Sequence, residues 1–213
     1  MPISARLVVV WCMALLTAGC TQFVRGDAML AIPGIDDDSR SPVDVETIML
    51  DQSQMRAITG AGEHLTIVPS MDGKMPVDIE QLTETTPPQC KWIFAETQVF
   101  GSEVEEFHKT TFQNPPDGGL ISEGAAAYRD HDTARRAFDD LVGLVDSCGA
   151  TPFGPLFVGE WTATDDGLQT RPGSGCGRDY RVKNVVLVEV SACAFPDSVP
   201  DIVLTNILAN VPD

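Results

Sequence analysis

Positive charge is scarce in this sequence. Lys and Arg number 14 against 31 Asp and Glu over 213 residues, a formal net charge of −17 at pH 7. A surface of that sign repels nucleic-acid phosphates and anionic lipid headgroups, so neither DNA or RNA binding nor flat adsorption to a membrane is expected. Its plain consequence is solubility and self-repulsion. Histidine is scarcer still: His64, His108 and His131 are scattered along the chain. No C-x-x-C pair occurs, and with it goes the usual zinc spacing, so no metal site is expected. The signatures of bound cofactors are missing as well. Gly60-Ala61-Gly62 has no following lysine in phosphate-loop register. Asp36-Asp37-Asp38 lacks the alternating acids, glycine and distal Glu of a calcium loop. "PGSGCG" at Pro172 to Gly177 is not a nucleophile elbow, because Ser174 precedes a cysteine loop instead of sitting between a strand and a helix.

What is present begins with the leader. Arg6 is followed by an apolar run from Leu7 to Leu16. That run is too short to span a bilayer but has the length of a signal-peptide core. Small residues then deliver a cysteine in "LTAGC". Residues 1–19 read as a bacterial lipoprotein signal peptide ending in a lipobox, in which Cys20 receives on its sulfur a diacylglycerol, carrier of acyl chains such as palmitate, and becomes the first mature residue. A thiolate is a good nucleophile for that chemistry, and two or more chains anchor a protein stably where one does not. Removing the leader with Arg6 takes the net charge to −18. Residues 20–43, with Pro33, Gly34, Pro42 and the acidic run, read as a flexible tether. The folded domain is expected over residues 44–213.

Four cysteines remain in that domain: Cys90, Cys148, Cys176 and Cys193. In an exported chain an even set reads as two disulfides, and four cysteines allow three pairings. Along the chain, Asp51 with Gln54 forms a capping box for a helix carrying Met55 and Ile58 inward and stopping at Gly60. Leu65 to Met75 reads as loop. Cys90 to Gln98 reads as a short helix. Val104 to Phe112 and Leu120 to Tyr128 read as strands joined by the "NPPDGG" turn. Asp132 reads as the cap of a long helix in which Ala134, Phe138, Leu141 and Val145 recur at helical spacing, ending at Cys148-Gly149. Phe157 to Thr164, Leu168 to Thr170 and Arg181 to Ala192 read as antiparallel strands. The run Val185 to Val190 is so apolar that both of its faces are expected to be covered. Val199 to Val211 closes the chain as a helix with Ile202, Val203, Leu208 and Val211 inward. This order predicts an α+β domain, an antiparallel sheet with helices packed on one face.

The capped "LDQSQMRAITG" helix, the Pro87-Pro88-Gln89-Cys90 segment, the strand pair, the long helix ending in Cys148 and the terminal "CGRDYRVKNVVLVEVSAC" together resemble the PknH-like extracellular sensor domain of mycobacteria. Free-standing mycobacterial lipoproteins of the LppH and LpqQ type carry a similar domain. The resemblance covers about Thr47 to Val211. It implies a domain with a broad V-shaped cleft for a small ligand. It also implies disulfides Cys90–Cys148 and Cys176–Cys193, and a turn within Gly177 to Ala192 suits the second pair. No kinase accompanies it: the glycine-rich loop, H-R-D and D-F-G are missing.

The functional expectation is a lipid-anchored sensor or binding module on the outer face of the cytoplasmic membrane, in the cell envelope. It would bind a small or apolar ligand in a cleft. The alternative is a protein-interaction module that recruits an envelope partner without a small ligand. A hydrolase with an unrecognised site ranks behind both, and no catalytic residue or cofactor is assigned. Trp92 and Trp161 are core candidates first and cleft aromatics second. Arg178 and Arg181 are candidate ligand anchors, conspicuous on so acidic a surface. His131 in Asp130-His131-Asp132 is better read as part of a helix start than as an acid–base pair. His108 shares a strand face with Glu106, which makes two ligands and not a site.

Overall fold

The computed structural model describes residues 40–173 and 176–213. The signal peptide, Cys20, the tether up to Ser39, and Ser174 lie outside the described residues. Among the described residues of the unit Asp38–Asp213, the first buried one is Val43, which is 6% exposed and belongs to the core. Two short helices come first, α1 (Val45–Ile48) and α2 (Gln52–Thr59). Asp51 and Gln54 form the expected reciprocal box at the start of α2, and Gly60 ends it with φ 68°, a backbone that glycine adopts without penalty.

Among the described residues, seven antiparallel strands make one sheet in the order β1-β2-β3-β7-β6-β5-β4. They are β1 (Thr66–Ile67), β2 (Glu106–Asn114), β3 (Gly119–Ala127), β4 (Glu160–Ala163), β5 (Gly167–Arg171), β6 (Gly177–Lys183) and β7 (Val186–Cys193). The remaining helices are α3 (Glu80–Glu84), α4 (Glu96–Phe100), α5 (His131–Gly149), α6 (Gly154–Phe157) and α7 (Ser198–Asn210), with a 3-10 segment over Pro88–Phe94.

Side chains alternate across a strand, so each strand serves two layers. Val186, Val188 and Val190 of β7 and Ile121 and Ala125 of β3 pack with Ile48, Met55, Val203 and Ile207 from α1, α2 and α7. Leu187 of β7, Ala126 of β3 and Tyr180 and Val182 of β6 pack with Trp92, Phe100, Phe138 and Leu141 from the 3-10 segment, α4 and α5. Helices therefore cover both faces of the sheet and not one. This corrects the one-face expectation and accords with the doubly apolar run Val185 to Val190.

Other boundaries differ from the sequence expectation for local reasons. The cap of α5 is Asp130, one residue before the helix. Its backbone is extended and its carboxylate accepts the Thr133 N–H at 2.8 Å, which leaves Asp132 in the first turn. Phe157 ends α6, and the strand after it starts at Glu160. The apparent single strand "VKNVVLVEVSAC" is broken at Asn184, whose φ of 52° is tolerated by Asn and turns β6 into β7. Ile202 of α7 is exposed, and Leu204 and Ile207 take the inward positions. Both disulfides form, Cys90–Cys148 and Cys176–Cys193. No helix among the described residues is long and apolar enough to cross a membrane.

Candidate functional site

The sheet face under α5 is apolar only over part of its length. Phe107, Ala126, Leu187 and Val182 lie side by side in one row across β2, β3, β7 and β6. The next row reads Lys109, Gly124, Glu189, Tyr180 and Leu168. The row after that reads Thr111, Ser122, Ser191, Arg178, Thr170 and Trp161, a belt of hydroxyls around one guanidinium. Thr111, Ser122, Thr170 and Glu189 are buried. Polar groups held on an inner sheet face cost stability unless they are paired, and only some of these are. The Thr111 and Ser122 hydroxyls bond each other at 2.8 Å.

Charges alternate along this floor. Glu96, the first residue of α4, pairs with Lys109 of β2. Its charge also acts on Arg178, which stands 3.8 Å from Glu189. Burial alone would lower the pKa of Arg178. The Tyr180 phenol, hydrogen-bonded to the guanidinium, and the Glu189 and Glu96 carboxylates outweigh it and hold the guanidinium above its ordinary value. Tyr180 is fully buried, and burial first, then Glu189, push its phenol well above the ordinary range, so it stays protonated.

A loop arches over the β2 end of this floor. Gly73 exchanges backbone hydrogen bonds with Lys109 at 2.9 and 3.0 Å. Asp72 receives His108 Nε2 at 2.9 Å and the Thr110 hydroxyl at 3.1 Å. At the far end the Ile79 N–H reaches the Phe94 carbonyl, the Glu96 carboxylate accepts the Val77 N–H, and Asp78 accepts the Thr97 N–H and hydroxyl. Between these pins the chain carries Met75 and Val77, 75% and 58% exposed. Met71, Met75, Val77, Ile79 and Phe107 line a pocket of about 290 Å³, with Lys109 and Glu96 at its polar end. That volume lies at the lower edge of ordinary small-molecule sites. Lys74, at the crown, pairs with Glu46 of α1 and so ties the arch to the segment where the domain begins.

The four ligand-site candidates from the sequence do not converge. Trp92 is buried in the 3-10 segment beside Cys90 and belongs to the core. Trp161, on edge strand β4, is half-buried against that core, close over Gly149 at the end of α5. Arg178 stands in the polar belt. Arg181 is an odd number of positions away, points to the opposite face and lies 4.0 Å from Asp201 of α7. The sequence reading passed over Glu96, Lys109, Tyr180, Glu189 and the methionine arch. A signal existed in "HKTT", "RDY" and "EVS", where polar residues recur with period two inside strongly β-forming runs. His108 pairs with Asp72 while Glu106 accepts the Val45 N–H, so the two serve separate contacts.

A family model described as the PknH-like extracellular domain matches residues 41–209. The crystal structure of the extracellular domain of PknH from Mycobacterium tuberculosis superposes with a TM-score of 0.58 at 15% sequence identity, over 80% of this chain and 97% of that chain. No curated protein matches.

Proposed function

The chain belongs to the family of PknH-like extracellular domains, and we propose that it works outside the cell as a membrane-anchored, sensor-type module that binds a small amphipathic molecule. Cys20 would supply the lipid anchor on the outer face of the cytoplasmic membrane, and residues 21–43 the tether. The groove beneath the arch would receive the ligand, its apolar part against Met71, Met75, Val77 and Ile79 and its polar end toward Lys109 and Glu96.

The observation that carries this reading is the pairing of an exposed apolar arch with a half-buried charged floor around one pocket. Soluble proteins seldom leave so many large apolar side chains together in one loop without a partner for them. The alternating charges below would fix the orientation of a bound molecule better than they stabilise the fold, since buried ion pairs roughly offset their own desolvation.

A second reading, a surface that recruits an envelope protein, is favoured by a separate feature. Phe153 and Leu156 project from the α6 turn, 60% and 72% exposed and outside the arch pocket. One comparison separates the two. Val77→Asp in the arch is expected to weaken binding of a dansyl-labelled fatty acid by at least about tenfold, with an unchanged unfolding midpoint. Phe153→Ser with Leu156→Ser should leave that binding untouched. Saturable binding that ignores Val77→Asp removes the groove reading. The anchor has its own assay: Cys20→Ala moves the chain from the membrane fraction to the soluble fraction of the cells that express it.

A further inference from the structure

The turn that carries Phe153 and Leu156 is fixed as well as exposed. Gly154 packs so closely on the end of α5 that a Cβ there would lie 2.1 Å from the Cys148 carbonyl oxygen. The Thr151 N–H and hydroxyl both bond that carbonyl, at 3.0 and 2.8 Å. At the other end of α6 the Val158 carbonyl accepts the Arg171 N–H of β5 at 3.0 Å, and the Val158 side chain is buried in the Phe138 layer. Phe153 and Leu156 face outward from this pinned turn. Large apolar side chains ordered in advance lose little freedom when a partner covers them, as interface anchors require.

The strand that follows offers backbone to the same partner. β4 ends the sheet, and among the described residues no strand pairs with its outer edge. The Thr164 N–H bonds the Gly167 carbonyl at 2.7 Å. Bonded and non-bonded positions alternate in an antiparallel ladder, so Trp161 and Ala163 turn their N–H and C=O groups away from β5. Such an edge accepts an extended chain by main-chain pairing. Two side chains and four residues of edge suit a short segment, not a broad face.

Charge selects the segment. Between Arg136 and Arg171 the chain holds six acids and no Lys or Arg, the longest base-free interval in the sequence, and all six are exposed. Asp139 pairs with Arg135, whereas Asp140, Asp146, Glu160, Asp165 and Asp166 have no ion-pair partner among the described residues. Glu160 and the Asp165-Asp166 turn bracket β4. The 3-10 segment packed against α6 adds a single base, Lys91. A second copy of this chain would set these acids against themselves, and like charges across an interface repel.

We infer that α6 and the free edge of β4 form a docking site for an extended cationic segment of a partner protein, in which Lys or Arg alternates with large apolar residues. This rests on the second reading above, that the turn recruits a protein, and it names the partner's chemistry. The chain from Thr21 onward, which contains the whole compact unit, is titrated at low salt into a fluorescein-labelled heptapeptide alternating lysine with leucine and valine. Peptides with serine or glutamate in place of lysine serve as comparisons. The lysine peptide is expected to bind at least about tenfold more tightly than either. Phe153→Ser with Leu156→Ser should weaken it about as much without moving the urea midpoint. Asp146→Asn with Glu160→Gln and Asp165→Asn should remove the advantage of lysine over serine. Ala163→Pro deletes an outward N–H at an edge position where proline is tolerated, and it should weaken binding too. Alternate N-methylation of the peptide should do the same without touching the protein. Serine or glutamate peptides that bind as tightly and depend on Phe153 overturn the cationic partner and leave the recruiting turn standing. Affinity that survives every substitution, or a chain that dimerises through Phe153 and Leu156, overturns the docking site. Binding by none of the peptides removes the recruiting reading with it.

Discussion

Glu123 sits on β3 between Ile121 and Ala125, in the layer packed against α1 and α2, with no exposed surface. One carboxylate oxygen accepts the Leu50 N–H at 3.3 Å, and the other has no partner among the described residues. Burial dominates its chemistry, only partly offset by the Leu50 bond, and nearby Asp51 adds repulsion, so its pKa is pushed up to about 8. In the folded protein the group is protonated at neutral pH, whereas in the unfolded chain it ionises near 4.5. The folded value is the higher one, so its contribution to stability is fully present below about pH 4.5 and is lost as the pH rises toward about 8. At about 1.4 kcal/mol per unit the loss is on the order of 3 kcal/mol by pH 7. Glu123→Gln keeps an acceptor for Leu50 and cannot ionise. Its urea midpoint is expected to match the parent at pH 4.5 and to exceed it increasingly up to pH 8. Carboxylates with lowered pKa, Asp51 and Asp130, slope the other way in both proteins and cancel in the difference. Two parallel pH profiles would show that Glu123 is ionised and solvated in the fold.

At the scale of elements, the two disulfides do different work. Cys90–Cys148 ties the 3-10 segment to the end of α5 across 58 residues, and Cys176–Cys193 closes the β6–β7 hairpin across 17. Loop-closure entropy assigns them about 4 and about 3 kcal/mol. Cys90 and Cys148 are also fully buried, so replacing that pair opens the packing around Trp92 as well. The Cys90→Ala/Cys148→Ala chain is expected to unfold at lower urea than the Cys176→Ala/Cys193→Ala chain. Because Phe94 and Glu96 pin the arch, its amide protons at Val77 and Ile79 should also exchange faster. Equal midpoints and unchanged exchange would mean that the 3-10 segment is held by its side-chain contacts alone. These elements also show what could be read from sequence. The capping box at Asp51, the "NPPDGG" turn and the long helix ending at Cys148-Gly149 are local patterns, and each formed where it was expected except for the helix cap, which moved from Asp132 to Asp130. The turn at Asn184 was hidden inside an apolar run, because an Asn adopting positive φ looks the same in sequence as one in a strand. The groove was less legible than the fold. Arg178 was noticed for its charge, but its neighbours Glu96 and Glu189 lie on another helix and another strand, and only the fold brings them together. Arg181 looked equivalent to Arg178 until the register put it on the opposite face.

At the scale of the whole domain, one sheet separates two apolar layers, and its central strands belong to both. β7 gives Val186, Val188 and Val190 to one layer and Leu187 to the other, and β3 gives Ile121 and Ala125 to one and Ala126 to the other. A layer that melts exposes one side of strands whose hydrogen bonds the other layer needs, so neither core can open alone without stripping the second. Unfolding should therefore be a single cooperative transition. Phe138→Ala, under α5, removes a buried ring and is expected to cost about 3–5 kcal/mol, and Ile207→Ala in α7 about 2–5 kcal/mol. Both substitutions should lower the same midpoint, seen identically by tryptophan fluorescence and by far-ultraviolet circular dichroism, even though Trp92 reports from only one layer. Phe107, the buried wall of the arch pocket, belongs to the Phe138 layer, so amphiphile binding would raise the shared midpoint and draw on the stability of both layers. Ile207→Ala, on the far face from the groove, would then weaken ligand binding no more than a surface change does, while shifting the midpoint as much as a core change must. A midpoint that splits, with fluorescence insensitive to Ile207→Ala, would mean that the layers fold independently and that the sheet does not transmit stability between them.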